Sequence, residues 1–138
     1  QIIEKLTCNF SYDKIIVTSF LPAVIRNIKA LDSRINSGLL LGEGANYKVF
    51  YKIIKEAIFM TDFMYSKADF ISPYYKIYEM GIMKKFEAEG IPIQLWTVND
   101  INFLKDLINS DIQSIVTDIP EKFLRVHLNL KNVKIRRN

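Results

Sequence analysis

The segment Gly90 to Pro120, GIPIQLWTVNDINFLKDLINSDIQSIVTDIP, constrains the fold more than any other part of this chain. Ile91 to Val98 is an apolar run of the kind that forms a strand buried on both faces, and Asn99-Asp100 closes it. Asp100 to Asn109 then sets Ile101, Leu104, Leu107 and Ile108 at helical spacing. Ser114 to Thr117 is a second short apolar run, followed by Asp118-Ile119-Pro120-Glu121, which reads as an N-cap with a Glu three residues on. The whole segment is one βαβ unit. In such folds the side chains at the carboxyl ends of the strands carry the chemistry.

Upstream, strand and helix alternate in the same way. Gln1 to Cys8 reads as the tail of a helix, and Ile15 to Ser19 is strand-like through its β-branched residues. Pro22 stands where a first helical turn tolerates it, and the helix runs to about Leu31 with Val24, Ile25, Ile28 and Leu31 on one face. Ser37 to Leu41 is a short buried strand ended by the loop Gly42-Glu43-Gly44. Tyr47 to about Tyr65 is helical and dense in aromatic and aliphatic residues, with Phe59, Met60, Phe63, Met64 and Tyr65 packing the helix onto a sheet. Asp69 to Ser72 is a strand stopped by Pro73, and Ile77 to Glu89 is a helix that ends at Gly90 as a C-cap. No internal repeat or low-complexity linker interrupts this order. Five short strands, each followed by a helix, predict an α/β fold with parallel pairing and helices outside.

Charge and composition exclude several classes. No apolar run approaches the roughly 18 residues that would span a membrane. Cys8 is the only cysteine, so no internal disulfide forms and the compartment is left open. The net charge of +4 comes from Lys131, Lys134, Arg136 and Arg137 near the end of the chain. Without them basic and acidic residues balance at 15 each. That basic end reads as a solvated terminus, and the absence of zinc spacing, an aromatic ladder among Lys/Arg or a helix-turn-helix pattern sets nucleic acid aside.

LWTVND at Leu95–Asp100 and VTDIP at Val116–Pro120 resemble the carboxyl-terminal signature of glycerophosphodiester phosphodiesterases. IIVTSFLPAVIRNIKALD, SGLLLG and ADFISPYY resemble that family's preceding strands in the same order, so the similarity runs from about Lys14 to Leu124. Leu21 after Ser19-Phe20, and Ile119 where an aromatic is common, depart from the pattern. The resemblance implies a partial (β/α)8 TIM barrel. Residues 1–138 would be the carboxyl-terminal portion, about the last five strands with their helices. A complete barrel needs about 250 residues, so the chain is expected to be a piece of something longer. Its open edges would be met by the missing amino-terminal half or by a second copy.

By the same resemblance, the whole enzyme hydrolyses a glycerophosphodiester to glycerol 3-phosphate and an alcohol with a divalent metal, Ca or Mg. The family's HRG, PENT and ExD motifs are absent from this sequence. No catalytic residue is therefore expected in this chain, and the metal ligands should lie upstream. Trp96 would pack against the glycerol moiety, its alternative being a core Trp wedged between strand and helix. Ser19 has two roles open to it, donating to phosphate or capping the next helix. Phe20 faces either the pocket or the neighbouring helix, and Tyr74 has two readings, a phenol bonded to a phosphate oxygen or one half of a surface pair with Tyr75. Glu43 is a weak metal candidate, Asn99 and Asp118 are expected as N-caps, and His127, the only histidine, reads as a surface or packing residue. Two other readings stand beside this one, a non-catalytic scaffold fragment and a related phospholipase-type barrel phosphodiesterase. The parent is expected to be cytoplasmic or membrane-associated.

Overall fold

The computed structural model of the chain describes residues 2–42, 47–107 and 110–126. Glu43, His127 and the basic end of the chain lie outside these described residues. Helix α1 (Ile2–Asn9) leads through a 3-10 turn (Tyr12–Lys14) into strand β1 (Ile16–Ser19). Helix α2 (Pro22–Leu31), strand β2 (Asn36–Leu41), helices α3 (Tyr47–Phe59) and α4 (Thr61–Ser66) and strand β3 (Phe70–Pro73) follow. The last part comprises helices α5 (Tyr75–Glu79) and α6 (Lys84–Ala88), strand β4 (Gln94–Leu95), helix α7 (Ile101–Leu107) and strand β5 (Ser114–Ile115). Helical turns resume at 120–126.

Every strand pairing is parallel. β1 pairs with β2 and β2 with β3, while β4 pairs with β5. Parallel bridges Ile71↔Ile93 and Tyr74↔Trp96 join β3 to β4, so the strands run in the unbroken spatial order β1-β2-β3-β4-β5. Parallel neighbours need crossovers, and right-handed crossovers between successive strands in one direction all fall on the same face of the sheet.

Burial follows that rule. Side chains alternate across a strand, and Leu39, Leu41, Ile71, Ile93 and Leu95 point to the face where they meet Ile53, Phe63, Ile77, Phe86, Leu104 and Phe123 of the helices. The residues in the alternate register, Ile16, Asn36, Phe70, Gln94 and Ser114, line a shallow cleft of about 180 Å³ on the opposite face. That face is polar at its centre. Gln94 donates through Nε2 to Ser114 Oγ at 3.0 Å and accepts from the Ser72 hydroxyl at 3.4 Å. Both Ser72 and Gln94 are buried, and these bonds satisfy them. At the amino ends of the strands Lys29 donates to both carboxylate oxygens of Asp69, at 2.9 and 2.8 Å, and to the carbonyls of Ser33 and Ile35. Asp69 in turn accepts the Ser37 amide at 2.7 Å, so one ion pair ties α2, β2 and the entry to β3.

Several expected boundaries are corrected. The helix expected over Tyr47 to Tyr65 is two helices, broken at Met60, whose φ of 54° is left-handed. The break is stabilised by Glu56, only 2% exposed, whose carboxylate accepts the amides of Asp62 at 2.8 Å and Phe63 at 2.6 Å and so caps α4 from the preceding helix. The helix expected over Ile77 to Glu89 is likewise split, because Gly81 takes φ +68° and starts a turn. Gly90 takes φ +66°, as its C-cap reading requires. On α2, Ile25 is fully buried, but Val24 and Leu31 are 39% and 74% exposed, so the apolar stripe is only partly covered. α2 packs mainly on β1, β2 and α4. Of the aromatic-rich cluster, Met60 and Phe63 are buried while Phe59, Met64 and Tyr65 stay exposed. No described helix is long and apolar enough to cross a membrane.

Gly38 shows how tightly the sheet is built. A Cβ at this position would lie 2.2 Å from the ring of Phe70, its register partner in β3. The ring covers the bare backbone, and no side chain fits beneath it. Gly38→Ala is expected to lower stability by about 1–3 kcal/mol, the usual cost of overpacking, seen as a lower urea midpoint. Adding Phe70→Leu to Gly38→Ala should recover part of the loss. A wild-type midpoint for Gly38→Ala would show that the two groups are not stacked.

Candidate functional site at the carboxyl ends of the strands

Three strand ends deliver aromatic side chains to one place. Phe20 follows β1, Tyr74 follows β3, and Trp96 follows β4. Phe20 meets Trp96 edge-on with ring centroids 5.5 Å apart, and the Tyr74 ring lies tilted 5.7 Å from Trp96. The chain of rings continues through Tyr75, 4.9 Å from Tyr74, to Phe103 of α7, 5.5 Å further. Such pairs contribute about 0.5–1.5 kcal/mol each beyond their buried area. The row therefore fixes the strand ends as well as lining them. Burial raises the Tyr75 phenol above its ordinary pKa.

The backbone sets this geometry. Tyr74 N–H donates to the Leu41 carbonyl at 3.0 Å, and Trp96 N–H donates to the Pro73 carbonyl at 3.3 Å. The Trp96 indole N–H donates to the Ser72 carbonyl at 2.8 Å, so its donor is already used and only the ring remains for a ligand. Trp96 is half-buried and Phe20 is 46% exposed, which leaves an accessible apolar wall.

Ser19 ends β1, and its hydroxyl oxygen accepts the Leu21 amide at 3.1 Å. It shapes the turn into α2, while Leu21 occupies the N-cap position without a side-chain cap. The structure thus brings Phe20, Tyr74 and Trp96 together, with Ser19 beside them in the turn. Glu43 falls outside the described residues.

The N-cap roles expected for Asn99 and Asp118 are corrected. Asp100 caps α7, its Oδ1 accepting the Asn102 amide at 2.8 Å. Asn99 instead bridges the two strand ends. Its Nδ2 donates to Asp118 Oδ2 at 2.8 Å, and its Oδ1 accepts both the Asp118 amide at 3.0 Å and the Thr117 hydroxyl at 3.1 Å. The turn at 120–126 starts from Ile119, whose carbonyl accepts from Lys122, and Thr117 Oγ1 accepts the Ile119 amide at 3.2 Å. The two most distinctive sequence segments, WTVND and VTDIP, are therefore joined by three hydrogen bonds from one side chain.

Among the described residues no group of three or more His, Cys, Asp or Glu side chains could hold a metal ion. The Asp118 carboxylate is taken by Asn99. These residues do not make a metal centre, and no chemical step is derived through one. A larger cavity of about 700 Å³ lies at the amino ends of β4 and β5, between Tyr78, Glu87, Ile93, Asp111 and Gln113. Burial there, with a hydrogen bond to Glu87, pushes the Tyr78 phenol up to about 12. Size does not decide between the two ends, because parallel α/β sheets place ligands at the carboxyl ends of their strands.

Sequence reasoning named Trp96, Phe20 and Tyr74, whose rings lie together here, but missed the Ser72–Gln94–Ser114 ladder, the Asn99 bridge and the capping role of Glu56. Only the Asn99 bridge had a signal, since Asn99-Asp100 and Thr117-Asp118 close adjacent parallel strands. No known family model matches the sequence, and no curated protein is significantly similar to it.

Asn99→Ala is expected to cost about 1–2 kcal/mol of stability, from exposed bonds worth roughly 0.5–1.5 kcal/mol each. Asn99→Asp would keep the acceptor but set a carboxylate against Asp118, so it should cost more than Asn99→Ala at pH 7. Urea melts of both variants at pH 7 check this. Equal losses at pH 7 would contradict the bridge.

Proposed function

We propose that this chain is the carboxyl-terminal sector of a glycerophosphodiester phosphodiesterase-like (β/α)8 barrel. In this reading the complete protein hydrolyses glycerophosphodiesters to glycerol 3-phosphate and an alcohol with a divalent metal. The observation that carries the reading is the convergence of Phe20, Tyr74 and Trp96, from the ends of β1, β3 and β4, on one aromatic wall. The face and end of the sheet where they meet are those a barrel uses for substrate. The unbroken parallel order of the strands supports the same reading, because a doubly wound sheet would reverse its order at a switch point. The polar row of Ser72, Gln94 and Ser114 would then face the barrel interior.

This chain supplies walls rather than catalytic groups. The Trp96 ring offers an apolar surface to the carbon skeleton of glycerol, with Phe20 and Tyr74 fixing its tilt. Acid, base and metal ligands belong to strands outside this sequence.

The test is hydrolysis of glycerophosphocholine with Mg²⁺ or Ca²⁺, comparing this chain with the chain extended upstream through the missing strands. Activity is expected only in the extended form. There, Trp96→Ala should lower kcat/KM about tenfold or more while the fold is retained, since losing a substrate contact of about 1.4 kcal/mol is a tenfold effect. Wild-type kinetics in the folded variant would remove Trp96 from the pocket. Silence in both forms would favour a non-catalytic scaffold, and cleavage of intact phospholipid alone would favour a phospholipase-type relative.

A further inference from the structure

A second cavity, of about 260 Å³, opens at the carboxyl end of β2 against α3. Its walls are Phe20, Leu40, Leu41, Val49 and Ile53, and among the described residues Lys52 is the charged one on its lining. Phe20 also forms the edge contact with Trp96, so the cavity adjoins the aromatic wall and shares one ring with it. Gly42 closes the strand end, where a Cβ would come within 3.3 Å of Val49, so the backbone approaches the helix as closely as the site allows.

The Lys52 ammonium is held 3.2 Å from Asp62, with its side chain 57% exposed. An ammonium has three donors, and Asp62 accepts from one, which leaves the others for an anion at the cavity mouth. Among the described residues the apolar walls end in the Lys52 cation, which complements a hydrocarbon chain with an anionic head. Water in such a space finds few polar partners, and an alkyl chain would displace it favourably.

We propose that this cavity binds the aliphatic chain of an anionic amphiphile, with Lys52 taking the phosphate head. The inference goes beyond the hydrolytic reading, since binding needs no catalytic group. A phosphate monoester serves as probe without being a phosphodiesterase substrate, so failure of hydrolysis leaves the test intact.

The experiment is titration calorimetry of the full chain with octyl phosphate, against inorganic phosphate and octanol as the two halves of the ligand. Saturable binding of octyl phosphate is expected, at least about tenfold tighter than either half. Lys52→Met should weaken it about tenfold or more, the scale of a charge-assisted hydrogen bond. Leu40→Phe, which fills the cavity, should do the same. If Leu40→Phe loses native circular dichroism, Lys52→Met decides. The proposal is overturned if octyl phosphate does not bind, if octanol binds as tightly, or if Lys52→Met leaves the affinity unchanged. It is also overturned if the chain sediments with phosphatidic acid vesicles yet ignores octyl phosphate, which would assign a membrane surface instead.

Discussion

Parallel pairing is the constraint from which the rest of this structure follows. A parallel strand cannot return through a tight turn, so each step from β1 to β5 needs a helical crossover. Since the strands never reverse their order, the crossovers gather on one face. The helices then bury Leu39, Leu41, Ile71, Ile93 and Leu95 from one side only. The opposite face keeps a polar centre, and Ile16 in β1 and Val116 beside β5 remain 53% and 43% exposed at its two edges. At the centre of that face Phe70, Ser72 and Gln94 are themselves buried, so its exposure lies mainly at the edges.

The same constraint gathers function at one end. All five strands point the same way, so the residues that follow them meet at a common rim. There the row of rings from Phe20 to Phe103 and the Asn99 bridge hold the strand ends in register. The amino end is held by different chemistry, the ion pair of Lys29 with Asp69. It is the more saturated of the two ends in charge-assisted bonds. The carboxyl rim keeps exposed aromatic surface and a cationic side chain, which are features suited to a ligand.

Much of this was legible in the sequence, because buried parallel strands announce themselves as continuous apolar runs between turn residues. The placement of β1, β2 and β3, the start of α2 at Pro22 and the C-cap at Gly90 all followed from local patterns. The breaks at Met60 and Gly81 were harder. Helical spacing passes through Met60 without interruption, and only a buried carboxylate seven residues before Phe63 makes the turn favourable. Gly81 did carry a breaker signal, but the apolar spacing around it outweighed it. Asn99 and Asp118 have typical cap chemistry, and the signal that they bond to each other lay in the pairing of two strand ends rather than in either segment alone. Phe20, Tyr74 and Trp96 were named through family resemblance. That they converge is a property of the sheet order, which no single segment encodes.

In the proposed barrel reading this sheet is one sector of a larger closed surface, with β1 and β5 as the edges where it would continue. Sedimentation velocity of the isolated chain over a range of concentrations tests it most directly. Parallel edge strands with Ile16 and Val116 exposed beside them predict self-association or aggregation that grows with concentration. A sharp monomeric boundary at every concentration, with a cooperative thermal melt, would contradict the account and mean that the five strands suffice by themselves.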